Sequence, residues 1–236
     1  MRNSIGAHCH FTHSTLEQLP KSTNARQIQQ YRPICLLNVS FKIFTEIATN
    51  RIVKVAQRIL KPTQTAFLPG RNIMEGAVIL HETIHELHTK KQNGVIFKID
   101  FEKAYDKVKW DFLQQSLRMK GFDPKWCEWV KCFVEGGNVW IKVNDQVGSY
   151  FQTKKGLRQG DPLPLILINV VVGMLAIFVS RAKEHGQVKG VVPNLIDGGL
   201  SILQYADDTI NFMDRDIEQA KNLKLLLCDF EQLFGL

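Results

Sequence analysis

Two periods alternate along the chain. Residues 1–19 show neither. A period near 3.6 sets in near Leu36 and runs through SFKIFTEIATNRIVKVAQRIL, predicting a helix with Ser40 as its N-cap. Apolar Ile43, Ile47 and Ile52, with Lys and Arg between them, predict a half-buried basic helix. KPTQTAFLPGRN is broken by Pro62, Pro69 and Gly70 and reads as a loop. A second helix is expected from about Ile73 to Lys91. GVIFKID, Gly94–Asp100, is a short apolar strand ending in a carboxylate. Helices follow at Trp110–Lys120, closed by Gly121, and at Pro124–Val134, opened by Asp123 and Pro124. NVWIKVNDQVGSYFQTKKG alternates around Asn144–Asp145 and predicts a hairpin. An apolar helix at about Pro162–Lys183 comes next. LSILQYADDTINFMD is two β-rich runs joined at Ala206–Asp208, a second hairpin, and a helix over Ile217–Phe234 ends the chain. Strands interleaved with helices, plus two hairpins, indicate an α+β fold with a mainly antiparallel sheet.

Composition narrows the class. The 236 residues suffice for one large domain or two small ones, and 44% apolar with 22% charged residues fits a globular chain with a real core. A net charge of +7 attracts polyanions, nucleic acid first among them, and equally fits a mildly basic surface with no partner. Cys9, Cys35, Cys127, Cys132 and Cys228 are odd in number and irregular in spacing, with no C-x-x-C, so a disulfide framework is not expected and a reducing compartment is. HCHFTH, His8–His13, sits in a poorly patterned N-terminus and suggests adventitious metal binding rather than a built site. No apolar core of a signal peptide occurs in the first 20 residues. Leu163–Val179 approaches the length of a membrane span but contains Pro164 and Asn169, so a buried central helix is expected and no membrane partner.

Two constellations carry candidate chemistry. HETIHELH, His81–His88, contains H-E-x-x-H, which places two imidazoles one helical turn apart as in zinc hydrolases. A zinc site needs a third ligand, and the ELHTKK that follows does not supply the Gly and His of the extended pattern. His81, His85 and His88 therefore read as one polar helix face. The second constellation is acidic: Asp100 at a strand end, and Asp207 and Asp208 at a hairpin tip. Adjacent acids at a turn also have a purely conformational explanation. Carboxylates gathered at one end of a sheet, however, are hard oxygen ligands suited to magnesium or manganese, and a pair of such ions serves phosphoryl transfer.

YADD between apolar strands resembles the catalytic turn of reverse transcriptases. FKIDFEKAYDKVKWDFL resembles the preceding acidic motif of these polymerases, and KKGLRQGDPL the glycine-rich motif between them. YRPICLLNVSFKIFTEIATNRI and QTAFLPGRNI resemble fingers motifs of the non-LTR (LINE-type) retrotransposon branch, especially its plant elements. The ordered set runs from about Leu19 to the end of the chain. The resemblance implies a right-hand polymerase fold lacking a thumb: fingers over 19–93, palm with the first acidic motif over 94–108, a fingers/palm insertion over 109–155 and palm over 156–236, with 1–18 matching poorly. It implies an RNA-directed DNA polymerase fragment of a retrotransposon polyprotein, acting on an RNA template, a DNA primer and deoxynucleoside triphosphates, with an intracellular, nuclear location.

Position by position, the resemblance implies that Asp100 and Asp207 bind two Mg2+ ions (Mn2+ substituting), with Asp208 the second acid of the turn and the Phe101 carbonyl a further ligand. Tyr105 matches the aromatic gate that excludes a ribose 2′-hydroxyl. Arg32 and Lys21 match basic fingers residues that hold the triphosphate, a task suited to a guanidinium fork. Gln159 and Gly160 match the motif beneath template and nucleotide, where glycine permits close backbone approach. KKGLR, with Lys142, suits either a phosphate track or a solvated turn. Pro164 and Leu165 stand where the family usually has Ser-Pro, which can re-aim the start of the apolar helix. A catalytically inert, nucleic-acid-binding remnant of such a polymerase is the alternative.

Overall fold

The computed structural model describes residues 13–135, 137–143 and 146–235; the histidine-rich stretch through Thr12 and the turn expected at Asn144–Asp145 lie outside them. The chain forms two compact units. One comprises the described residues up to Ile52 together with Tyr105–Leu165; the other comprises Val53–Ala104 and the residues from Ile166 onward.

In the first unit, β1 (His13–Pro20) pairs antiparallel with β2 (Tyr31–Leu37) and parallel with β4 (Asn138–Val143). β4 also pairs antiparallel with β5 (Gln146–Val147) and β6 (Phe151–Gln152). β1 shows no alternation in sequence because its partly buried residues, Thr15 to Gln18, fall on both faces. The parallel β1–β4 pair departs from the all-antiparallel pattern that hairpins alone would give.

Helix α1 (Val39–Ile59) follows β2. Asn38, not Ser40, caps it: the Asn38 side-chain oxygen accepts the Ser40 amide at 2.9 Å. Its buried positions also differ from the expected stripe. Ile43 and Ile47 are 56% and 45% exposed, whereas Phe41, Thr45, Ala48, Thr49 and Ile52 are buried. The two threonines can be buried because their hydroxyls donate to the Phe41 and Thr45 carbonyls one turn earlier. Apolar Cys35, Val108, Phe112, Leu113, Leu117, Val130 and Val134 complete the core of this unit. They come from β2, from the segment after α3 (Ala104–Lys107), and from α4 (Trp110–Met119) and α5 (Pro124–Val134). Gly121, at φ +81°, ends α4 as expected. Asp123 accepts the Lys125 amide at 2.8 Å and starts α5.

The second unit holds an antiparallel sheet in the order β3-β8-β7, from Gly94–Ile99, Asp208–Asp214 and Ile202–Tyr205. One face packs Leu203 and Phe212 with Val191, Val192 and Leu200 against Ile79, Leu80 and Leu87 of α2 (Ile73–Thr89). α7 (Ile217–Phe234) contributes Phe230 and Phe234, whose rings lie 5.8 and 5.9 Å from that of Phe101. α6 (Pro162–Glu184) is buried almost throughout. It is long and apolar enough to cross a membrane, but 78% of its most apolar window is buried inside the protein, as the core-helix reading expects. Pro164 lies in its first turn, where amide hydrogens have no intrahelical acceptor, so the proline shift leaves the helix intact.

Candidate active site

The antiparallel register fixes where the acids fall. Ile99 of β3 lies opposite Thr209 of β8, and Tyr205 of β7 opposite Asp208. Asp100, one step beyond Ile99, is therefore delivered to the sheet end that carries the Ala206–Asp207 turn. Ala206 is buried and takes φ +53°, a left-handed conformation unusual for a residue with a Cβ. The half-buried Asp207 follows it. Burial pushes the Asp207 carboxyl above the ordinary aspartate range, and the neighbouring Asp208 and Asp100 charges push it further the same way.

Asp208 is exposed, and its Oδ1 lies 3.2 Å from Lys98 Nζ. Strand alternation explains the pairing, since Lys98, two residues before Asp100, projects on the same sheet face as Asp208. The three carboxylates share one end of the sheet but do not close into a tight cage. Among the described residues, no group of three or more His, Cys, Asp or Glu side chains is close enough to hold a metal ion. The donor set nonetheless fits a hard cation: three carboxylates at one sheet end, one of them half-desolvated and raised further by its two neighbours.

Other residues singled out in the sequence divide between the units. Phe101 belongs with the carboxylates and is buried, its ring against Phe230 and Phe234. Lys21, Arg32, Tyr105, Gln159 and Gly160 belong to the first unit. Lys21 and Arg32 are exposed at the Pro20–Tyr31 end of the β1–β2 hairpin, where the Lys21 amide donates to the Gln30 carbonyl at 2.8 Å. Tyr105 is half-buried at the start of α3, and its carbonyl accepts the Leu157 amide at 2.6 Å. The Gln159 side-chain amide donates to Asp106 Oδ1 at 3.3 Å, and its carbonyl accepts the Cys35 amide at 2.8 Å.

The glycine-rich segment thus brackets α3 on one side and β2 on the other. A Cβ on Gly160, at φ +103°, would lie 3.0 Å from the Cys35 carbonyl oxygen; one on Gly156, at φ +92°, would lie 2.7 Å from that of Asp106. Between them, Arg158 is buried, donates Nη1 to the Phe133 carbonyl at 3.0 Å and lies over the Phe41 ring. Its burial depresses the guanidinium, and burial likewise raises the Asp161 carboxyl. KKGLR is therefore not simply a solvated basic turn, because its arginine is internal.

His81, His85 and His88 are all exposed on α2. Two residues that the sequence did not single out hold the loop before α2. Arg71 donates to the Lys61, Gln64 and Leu60 carbonyls, closing the C-terminal end of α1. Gln64, 1% exposed, reaches the turn residue Ala206. Both lie in QTAFLPGRNI, but periodicity gives neither this role, and the Ala206 partner of Gln64 lies 142 residues away.

Comparison with known proteins identifies the family and the fold. Residues 19–233 match the family described as reverse transcriptase (RNA-dependent DNA polymerase). The chain is 25% identical over 197 residues to the transposon TX1 uncharacterized 149 kDa protein of Xenopus laevis, covering 84% of this chain and 15% of that protein. It is 27% identical over 221 residues to the retrovirus-related Pol polyprotein from the type-2 retrotransposable element R2DM of Drosophila melanogaster, covering 92% and 20%. The chain therefore spans a fifth or less of the length of either relative. Among solved structures, telomerase from Candida tropicalis in complex with a TWJ fragment of telomeric RNA superposes with a TM-score of 0.68 at 14% identity, over 96% of this chain and 40% of that one. The corresponding Candida albicans telomerase gives 0.65 at 11%, over 100% and 42%. At such identities the likeness shows the fold: the α+β fingers and palm of these polymerases.

Proposed function

The chain belongs to the reverse transcriptase (RNA-dependent DNA polymerase) family, whose members work with divalent metal ions, and from that premise we propose that it is the nucleotidyl-transfer core of a non-LTR retrotransposon polyprotein. The observation that carries this reading is the half-buried Asp207, its carboxyl raised by burial and by Asp208 and Asp100 at one end of the β3-β8-β7 sheet. The substrates are an RNA template, a DNA primer and deoxynucleoside triphosphates. In the reaction, the primer 3′-oxygen bonds to the α-phosphorus, the bond to the bridging β-phosphate oxygen breaks, pyrophosphate leaves, and the hydroxyl proton passes to solvent.

Asp100, Asp207, Asp208 and the Phe101 carbonyl are assigned to two Mg2+ ions. Bound there, these ions supply charge stabilisation for the entering and leaving oxygens. Lys98 neutralises Asp208 while no cation does so. Arg32 and Lys21 are assigned to the triphosphate, and Tyr105 to exclusion of a 2′-hydroxyl. Gln159 and Gly160 are assigned to the backbone platform under template and nucleotide, a role consistent with the bracketing hydrogen bonds of that segment.

Primer extension on an RNA template tests the reading, with the 236-residue chain alone and fused to the thumb of a relative. Magnesium-dependent DNA synthesis is expected. Asp207→Asn should remove it by several orders of magnitude, because an amide cannot replace the anionic ligand. Tyr105→Ala should retain synthesis and admit ribonucleotides, and His85→Ala should change little. A folded fusion that binds duplex but makes no DNA would instead establish the inert nucleic-acid-binding remnant.

A further inference from the structure

We infer that Gln64 is a positioning residue for the carboxylate turn, holding Ala206 in its left-handed conformation and thereby fixing where Asp207 projects. The inference rests on the assignment of Asp207 as a cation ligand. Gln64 lies in a loop remote in sequence, yet its carboxamide makes both hydrogen bonds that a paired strand residue would make to Ala206. Its Nε2 donates to the Ala206 carbonyl at 3.2 Å, and its Oε1 accepts the Ala206 amide at 3.0 Å. The same Oε1 accepts the Ala66 amide at 3.1 Å, so the side chain is locked at its own end.

The backbone around it is locked as well. Gln204 donates its amide to the Thr63 carbonyl at 2.8 Å, and the Thr65 amide donates to the Gln204 carbonyl at 3.1 Å. Gln64 is thus held beside β7 by an isolated parallel bridge to Gln204. Asn169 of α6 donates to the Ala66 carbonyl at 2.7 Å and pins the far end.

The chemistry explains why a carboxamide stands here. Two-residue turns of this hand ordinarily use glycine or asparagine, since a left-handed residue with a Cβ costs about 1–2 kcal/mol. Ala206 is therefore under strain, and without outside partners its peptide would relax toward negative φ. Relaxation would re-aim the next Cα–Cβ bond, which belongs to Asp207. Glutamine supplies one donor and one acceptor in a plane, matching the N–H and C=O of Ala206 together. Methionine fills the same volume and supplies neither, and asparagine falls one methylene short.

The test measures Mn2+ binding to the full 236-residue chain by electron paramagnetic resonance of free Mn2+, without any turnover. Wild type should bind Mn2+ more tightly than Asp207→Asn; equal binding would overturn the cation-ligand reading itself. Given that difference, Gln64→Met should weaken Mn2+ binding by about 10- to 100-fold, the usual range for residues that orient a ligand. Adding Ala206→Gly should recover part of the loss, because glycine adopts the left-handed conformation without a clamp. A folded Gln64→Met chain with wild-type Mn2+ affinity would overturn the inference. Should that variant not fold, amide exchange in the wild type decides. The Ala206 amide, although in a turn, should be as protected as the neighbouring strand amides, and rapid exchange there would overturn the clamp.

Discussion

Asp207, assigned above to a cation, ties that assignment to stability at a single carboxyl group. Its pKa is raised in the folded chain, chiefly by burial and then by Asp208 and Asp100. Between the ordinary aspartate range and that raised value, the folded state binds more protons than the unfolded one. Stability is therefore full below the ordinary range and falls as pH rises through the folded pKa. At neutral pH the ionised Asp207 is a net cost, so Asp207→Asn should raise Tm there even as it removes synthesis. The gain should shrink on acidification, and a divalent cation should raise the wild-type Tm more than that of the variant. Thermal melts of both proteins across pH 3–8, with and without magnesium, check this; a variant less stable at every pH contradicts it. The positions of the acids were legible because Asp100 and Asp207 close apolar runs and Asp208 opens another, a signal confined to a few residues. Gln64 and Arg158 were not. A buried glutamine in a loop and an arginine in a basic run look like solvated residues until the fold shows what covers them.

At the scale of elements, periodicity recovered those with one wet face and one dry face. α4, α5 and α7 begin and end within a residue of expectation, helped by Gly121 and the Asp123 cap. It failed for β1, partly buried on both faces, and placed only Ile52 of the expected α1 stripe correctly, since threonines satisfied by their own helix are buried in place of Ile43 and Ile47. In the glycine-rich segment the geometry leaves little room. Gly156→Ala would put a Cβ 2.7 Å from the Asp106 carbonyl at φ +92°, against backbone that cannot swing aside. The expected destabilisation is about 2–4 kcal/mol, the left-handed penalty plus a backbone clash. Gly121→Ala, equally left-handed at φ +81° but with open space around it, should cost only about 1 kcal/mol. Urea denaturation of the two variants separates conformational strain from close approach, and equal losses would show that the approach contributes nothing.

At the scale of the whole molecule, the excess of 30 Lys and Arg over 23 Asp and Glu becomes a surface property. Lys42, Arg51, Lys54 and Arg58 are all exposed on α1, a helix whose apolar side is only partly buried. A solvated basic helix of this kind should meet phosphates if the proposed primer and template bind, and each phosphate contact releases condensed counterions. If about four phosphates are neutralised, the logarithm of the affinity falls with that of salt with a slope of roughly −3 to −4. Binding should then weaken by about a hundredfold between 50 and 200 mM salt. Arg51→Ala should reduce the slope by about one and weaken binding alike for every sequence tested, the mark of a phosphate contact rather than base readout. Fluorescence anisotropy with a labelled RNA–DNA hybrid over a salt series measures both quantities. A salt-independent affinity would place binding on an apolar surface instead, and the exposed Ile43, Phe44 and Ile47 of the same helix would be the first residues to substitute.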